Sequence, residues 1–223
     1  MTGRTASERL IAEIVADGRG TRAGTGRDSF DPRVLDALRR APREAFVPPD
    51  AVPFAYANRP LPIGHGQTIS QPGIVALMTD MIAPRPGEKV LEIGTGSGWQ
   101  AAVLAALGAR VFSVEVIPEL SARAAAALAA QGFPGIRLRV GDGWQGWPEE
   151  APFDAILVTA AAARMPQALL AQLAPGGRMA IPLGPEGGRQ RLVLVRKAAD
   201  GSITEDDVLP VAFVPLVEPR HGD

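Results

Sequence analysis

Val90-Leu91-Glu92-Ile93-Gly94-Thr95-Gly96-Ser97-Gly98 decides how the rest of the chain reads. An apolar run enters three glycines at alternate positions, and an alanine-rich segment follows at residues 101–107. The pattern predicts a buried strand, a tight turn and the first turns of a helix. Glycine serves where the backbone takes positive φ or where a ligand lies against the main chain. Glu92 sits inside the predicted strand. Glu115 closes the next apolar run, residues 111–114, and Asp142 follows the one after, residues 136–140. Three acids near consecutive strand ends are expected to converge on one edge of a parallel sheet, where open α/β sheets bind ligands.

The spacing narrows the ligand. A dinucleotide fingerprint G-x-G-x-x-G would need a glycine at position 99, which is Trp99. No basic residue stands in 94–98 to meet a phosphate, and no G-K-[ST] follows. The loop suits a ligand without a pyrophosphate. The E-x-G-x-G-x-G pattern resembles the first motif of class I S-adenosylmethionine-dependent methyltransferases.

The chain has 223 residues, enough for one α/β domain with an additional segment. Hydrophobic residues make up 46%, so a sizeable core can form. The net charge of −1 gives no basic footprint for nucleic acid. There are no cysteines, which excludes disulfides and thiolate metal sites. The two histidines, His65 and His221, lie far apart, and no metal site is expected. No apolar run approaches the ~20 residues of a membrane span, and no signal region opens the chain. These readings predict a cytoplasmic protein.

Residues 7–16 have helical spacing, with Leu10, Ile11, Ile14 and Val15 on one face. Residues 17–29, rich in Gly, Arg and Thr, read as a mobile connection. Asp31-Pro32 opens a second helix, an N-cap acid followed by proline at the first helical position. Residues 46–62 are proline-rich and read as an ordered loop, and residues 74–82 as an amphipathic helix. From Lys89 the chain alternates: strands at 90–93, 111–114, 136–140 and 154–158, helices at 100–107, 119–130 and 167–173. Strands at 178–182, 191–196 and about 208–214 follow. The expected fold is α/β: a Rossmann-like, doubly wound, mostly parallel sheet with an antiparallel C-terminal pair and an N-terminal helical segment. The division expected is a helical cap and loop over 1–60 and a ligand-binding domain over 61–223.

Several residues are candidates for the site. Gly94, Gly96 and Gly98 form the floor. An ionised Glu115 can accept from paired ligand hydroxyls, worth about 1.5–3 kcal/mol for a charged acceptor. Its distance from Gly94, about 20 residues, is what a ribose-binding acid requires. Glu92 either binds the ligand or orients the glycine loop. Asp142-Gly143 reads either as an adenine-contacting pair or as a simple turn. Trp144 and Trp147 are assigned to the core. Gly64-His65-Gly66-Gln67-Thr68-Ile69-Ser70-Gln71-Pro72 is dense in small polar side chains and leads into a helix N-terminus, which attracts anions such as a carboxylate.

The stretch Leu61-Pro62-Ile63-Gly64-His65-Gly66-Gln67-Thr68-Ile69-Ser70-Gln71-Pro72 resembles the signature of protein-L-isoaspartate O-methyltransferases. So do Val140-Gly141-Asp142-Gly143, Val158-Thr159-Ala160-Ala161-Ala162, Leu173-Ala174-Pro175-Gly176-Gly177-Arg178, Ile181-Pro182-Leu183-Gly184 and Phe213-Val214-Pro215-Leu216. The likeness covers about residues 31–216. It implies methyl transfer from S-adenosyl-L-methionine to the free carboxylate of L-isoaspartyl residues in damaged proteins and peptides. The resulting ester collapses to a succinimide. It also implies Ser70 as the active-site serine, with Thr68, Gln71, Gln190 and the backbone near Val214 on the substrate side and Thr68 also on the cofactor side. Gly73 stands where members often carry tyrosine. A monomer is implied, with neither nucleic acid nor membrane as a partner. The competing readings are a methyltransferase of a small-molecule acceptor and a non-catalytic S-adenosylmethionine-binding module.

Overall fold

The structure is a computed structural model that describes residues 3–26 and 28–217, with the backbone alone for residues 19–25. Arg27 and His221 therefore lie outside the described residues. The chain begins with α1 (Gly3–Thr25) and α2 (Pro32–Arg40). Asp31 caps α2 by accepting from Arg33 N–H, with proline at the first helical position, as the sequence predicts. Residues 17–25 continue α1 where a mobile connection was expected. Packing explains the difference: a Cβ at Gly18 would stand 2.3 Å from the Phe30 ring, so glycine lets the helix lie against it. Tertiary contact outweighs the weak helical propensity of glycine there.

The proline-rich loop contains two 3-10 turns, Arg43–Phe46 and Pro49–Phe54. A short antiparallel hairpin follows, β1 (Leu61–Gly64) and β2 (Gln67–Ile69), and then α3 (Pro72–Ile82). The main sheet is built from β3 (Lys89–Ile93), β4 (Arg110–Glu115), β5 (Arg137–Val140), β6 (Phe153–Val158), β7 (Leu173–Leu183), β8 (Gln190–Lys197) and β9 (Ile203–Val211). Between them lie α4 (Trp99–Ala106), α5 (Pro118–Ala130) and α6 (Gln167–Gln172). The last strand starts and ends earlier than the sequence suggests, so residues 212–214 run beyond the sheet.

The strand order is β5-β4-β3-β6-β7-β8-β9. The pairs from β5 to β7 are parallel and those from β7 to β9 antiparallel. The expected doubly wound, mostly parallel sheet with its antiparallel C-terminal pair is thus present. Side chains alternate across it, as a sheet covered on both faces requires. Leu91, Ile93, Phe153 and Ile156 pack in one cluster with Leu169 of α6. Val90, Ala155 and Leu157 pack in another with Leu77, Met78 and Leu104 of α3 and α4. A third cluster joins Leu10, Ile14, Val34 and Leu38 of the N-terminal helices to Trp99 and Val103 of α4. No helix among the described residues is long and apolar enough to cross a membrane.

The winding reverses between β3 and β6, which sets a crevice at their carboxyl ends. Register makes it level. Ile93 pairs with Val114 on one side and Val158 on the other. The next residues, Gly94, Glu115 and Thr159, therefore stand side by side.

Candidate active site: two cavities with a shared wall

The glycine loop starts from two ladder bonds carried one step past the strands. Gly94 N–H donates to Val114 O at 2.8 Å, and Thr159 N–H donates to Ile93 O at 2.9 Å. Gly94 turns at φ +91°, and a Cβ there would meet Thr159 Oγ1 at 2.3 Å. The Thr159 hydroxyl donates into the same turn, with Ile93 O at 3.0 Å and Gly94 O at 2.7 Å. The loop and the end of β6 therefore close on each other, and only glycine fits at position 94.

Glu115 holds the loop from the other side. Its Oε2 accepts Gly96 N–H at 2.8 Å and its Oε1 accepts Ile117 N–H at 3.0 Å. It is buried, and its two oxygens each keep a lone pair for a ligand. Glu92 lies beneath the loop and does not line the cavity above it. The pleat turns it to the face of Val90, on the side of α3 and α4, where its Oε2 accepts from the cross-strand neighbour Ser113 Oγ at 2.5 Å. Ser113 in turn shares a 2.6 Å hydrogen bond with Thr95 Oγ1. Burial pushes the Glu92 carboxyl up to about 8, with the hydrogen bond from Ser113 opposing and the Glu115 charge adding to the rise. Of the two roles open to Glu92, the geometry is that of an orienting group.

Asp142 also stands off the cavity. Its Oδ1 accepts Trp144 N–H at 2.9 Å, a local turn, while Gly143 does reach the lining. A Cβ at Gly143 would meet Ile93 Cγ2 at 2.6 Å, so glycine lets this strap lie on β3. Gly98 caps α4 and faces Ala124 and Leu128 rather than the crevice. Of the three acids expected on one edge, Glu115 alone lines the cavity; the pleat turns Glu92 under the floor, and the turn beyond β5 takes Asp142 away.

The cavity over the loop has about 740 Å³ of empty space, counting the open solvent at its mouth. Its walls include Gly94, Gly96, Ser97, Glu115, Ile117 and Gly143. Glu115 is the only charged residue among the described lining. A single carboxylate with no cation beside it suits a positively charged, phosphate-free ligand. The donor set thus fits S-adenosylmethionine: a carboxylate with free lone pairs, a backbone floor without side chains and no partner for a phosphate.

A second, larger cavity, about 1390 Å³ counting the open solvent at its mouth, lies on the side of the N-terminal helices and the C-terminal strap, residues 212–217. It is mostly apolar, with Ile14, Phe30, Ile74, Leu77, Leu209 and Phe213 in its walls, and Gln71 reaches it as well. Thr68, Ser70, Thr159 and Val214 line both cavities, so they form the wall between them. Three of the four were singled out in the sequence. Thr159 was not; its signal was a lone hydroxyl at the end of an apolar run, level with the first glycine.

Two buried side chains hold this wall. The Arg43 guanidinium donates to Ala55 O at 2.7 Å, Ala57 O at 3.2 Å, Arg59 O at 3.0 Å and Ser70 O at 3.0 Å. It also lies 5.2 Å from the centroid of the Trp99 ring, whose Nε1 donates to Ala41 O at 2.8 Å. Gln190, expected at the substrate, instead clamps the strap, and it lines neither cavity. Its Nε2 donates to Phe213 O at 3.1 Å and its Oε1 accepts Phe213 N–H at 2.6 Å, so its amide is spent on backbone. Beyond Phe213, Ala161 N–H donates to Val214 O and Leu216 N–H to Ala161 O, each at 2.8 Å. Val214 is thereby fixed with one face to each cavity.

A sequence profile of the protein-L-isoaspartate(D-aspartate) O-methyltransferase family matches residues 25–221. Protein-L-isoaspartate O-methyltransferase 2 of Polaromonas sp. is 53% identical over 211 residues, covering 95% of this chain and 100% of that protein. The protein-L-isoaspartate O-methyltransferase of Anaeromyxobacter dehalogenans strain 2CP-C is 57% identical over 187 residues, covering 83% and 90%. A solved protein-L-isoaspartate O-methyltransferase superimposes with a TM-score of 0.81 at 27% identity, covering 94% of this chain and 65% of that longer one. A putative one from Plasmodium falciparum, solved with S-adenosyl-L-homocysteine, gives 0.79 at 23% identity over 97% and 99%, a likeness of fold. With the profile spanning most of the chain and half the residues shared with such relatives, the chain belongs to the protein-L-isoaspartate(D-aspartate) O-methyltransferase family.

Proposed function

We propose that this chain repairs proteins by methylating the free carboxylate of L-isoaspartyl residues, with the acceptor in the larger cavity and S-adenosylmethionine in the smaller. Family membership makes it an S-adenosylmethionine-dependent O-methyltransferase. The observation that supports this division of labour is the wall of Thr68, Ser70, Thr159 and Val214, common to both cavities. The bound cofactor supplies an electrophilic methyl group on a cationic sulfur.

The substrate carboxylate is already ionised at neutral pH, so the chain need not remove a proton or form a covalent intermediate. Its residues position and exclude water. Ser70 donates a hydrogen bond to the acceptor carboxylate, and Thr68 and Gln71 hold the neighbouring backbone. Glu115, Gly94, Gly96 and Gly143 seat the cofactor, while Glu92, Gly98 and Asp142 shape the loops around it. Good alignment of two reactants can supply ~7–11 kcal/mol of the barrier. Opposite charges disappear in the transition state, so the apolar strap over both cavities favours reaction by keeping water out. In this reading residues 1–60 are the cap of the domain that starts at residue 61, and the enzyme acts as a cytoplasmic monomer without nucleic acid.

The test mixes the protein with methyl-labelled S-adenosylmethionine and two peptides that differ only in Asp versus L-isoAsp. Base-labile label on the isoAsp peptide alone is the expected result. Label on neither peptide, with cofactor binding seen by calorimetry, would overturn the acceptor assignment and leave the fold and cofactor standing.

A further inference from the structure

α1 stands almost entirely ahead of the residues that match the family profile, yet Ile14, Asp17 and Gly18 line the larger cavity. The helix is fastened there by a relay of two hydrogen bonds. Asn58 Nδ2 donates to Asp17 Oδ2 at 2.8 Å, and Asn58 Oδ1 accepts Gly73 N–H at 2.9 Å. Gly73 is in the first turn of α3, three residues past Ser70. No side chain at position 73 stands between: a Cβ there would lie 3.2 Å from Asn58 Oδ1. The Asp17 carboxylate is thus one amide side chain away from the helix end that carries the acceptor-binding segment.

Asp17 is the only charged residue among the described lining of this cavity. It is exposed, at the rim, while the half-buried Phe30, Ile74 and Leu209 make the walls below it apolar. An apolar wall with a carboxylate at its edge complements one kind of side chain: a long aliphatic stem that ends in a cation. Lysine and arginine bury their methylenes and keep the charged head at the water boundary.

We propose that Asp17 and the apolar wall beneath it form a subsite selecting isoaspartyl segments with a lysine or arginine beside the damaged residue. The inference rests on the acceptor reading above and deepens it.

The test measures binding of fluorescent isoAsp peptides to the enzyme held with S-adenosyl-L-homocysteine. Lysine is compared with glutamate on each side of the isoAsp in turn. The unchanged chain should bind the better-placed lysine peptide roughly 2- to 5-fold more tightly than its glutamate twin, the strength of an exposed ion pair. Salt at 0.5 M should shrink that ratio. Asp17→Asn keeps an acceptor for Asn58 but loses the charge, and the ratio should fall to near one. Asp17→Lys should invert it. S-adenosyl-L-homocysteine affinity should stay constant across all three proteins, which reports that the fold is intact. A lysine preference that survives unchanged in both variants would overturn the subsite and leave the acceptor reading standing. Failure of every isoAsp peptide to bind, with S-adenosyl-L-homocysteine bound normally, would overturn both.

Discussion

The two cavities meet at one wall but are built in opposite ways. The smaller is made of strand ends: the 94–98 loop, held at Gly96 N–H by the Glu115 carboxylate and at Gly94 O by the Thr159 hydroxyl. The larger is made of side chains from elements far apart in sequence: α1, the hairpin, α3 and the C-terminal strap. The first has its shape fixed by sheet register, which every hydrogen bond of the ladder defends. The second depends on a few long-range fastenings, chiefly Arg43 and Gln190. A common cofactor suits the rigid half. An acceptor that arrives on many different proteins suits the half assembled from loops and tails.

The largest effect should come from cutting a fastening. Arg43 is 1% exposed and its guanidinium serves four carbonyls, with burial pushing its pKa down to about 10. Arg43→Met should cost about 3–5 kcal/mol of stability, because those carbonyls lose their donor in a place water reaches poorly. Denaturant unfolding measures it. In the fraction that folds, isoAsp peptide binding should weaken more than S-adenosyl-L-homocysteine binding, since Ser70 O is among the carbonyls released. Equal weakening of both would break the distinction between the two halves.

Glu115→Ala attacks the rigid half instead. The Gly96 and Ile117 amides lose a charged acceptor, and a ligand loses the only carboxylate among the described lining of its cavity. The expected loss of S-adenosyl-L-homocysteine affinity is about 1.5–3 kcal/mol, or roughly 10- to 150-fold. Calorimetry reads it directly. Ser70→Ala tests the wall itself. Turnover should fall roughly tenfold, about one hydrogen bond to a charged acceptor, while S-adenosyl-L-homocysteine affinity stays within about twofold. Unchanged turnover would remove Ser70 from the positioning role.

The same contrast governs what could be read without a structure. The glycine loop, the strand order around it and Glu115 are written in local patterns, because a strand, a turn and a helix each leave a short-range period. The second cavity leaves no such period. Arg43 reads as half of a charged pair with Glu44 between Pro42 and a short apolar stretch, and nothing nearby announces the four carbonyls it collects. Residues 17–25 carry three glycines and read as a connection, but they continue α1, which lies against Phe30 at Gly18. Gln190 carries the right chemistry for a substrate contact and spends it on Phe213. Glu92 and Asp142 show the finer limit. Both lie at the right strand ends, yet the pleat and a local turn decide which acids face the ligand, and a one-residue step reverses the face.

Glu92 gives the effect that isolates the rigid half from below, small at any one pH step and read as a slope. Its carboxyl is fully buried, with Oε1 unpartnered among the described residues, and burial raises it from 4.5 to about 8. In the unfolded chain the group ionises near its ordinary value. The folded state therefore holds a proton that the unfolded state has lost throughout the window from about pH 4.5 to about 8. The Glu92 contribution to stability should fall as pH rises through that window, by at most about 1.4 kcal/mol for each pH unit, and level off above it. Glu92→Gln keeps an acceptor for Ser113 and never ionises, so its stability should lack that slope. The difference between the two proteins, followed by denaturant unfolding at pH 5, 6, 7 and 8, is the measurement. Parallel curves would mean that the carboxyl is charged in the fold at neutral pH. Two negative charges would then lie under the glycine loop, and the loop's preference for a cationic ligand would rest on Glu92 as well as Glu115. Diverging curves leave Glu115 as the single charge at the cofactor side. The neutral Glu92 then acts only through the Ser113 and Thr95 hydroxyls, setting the loop's position and not its potential.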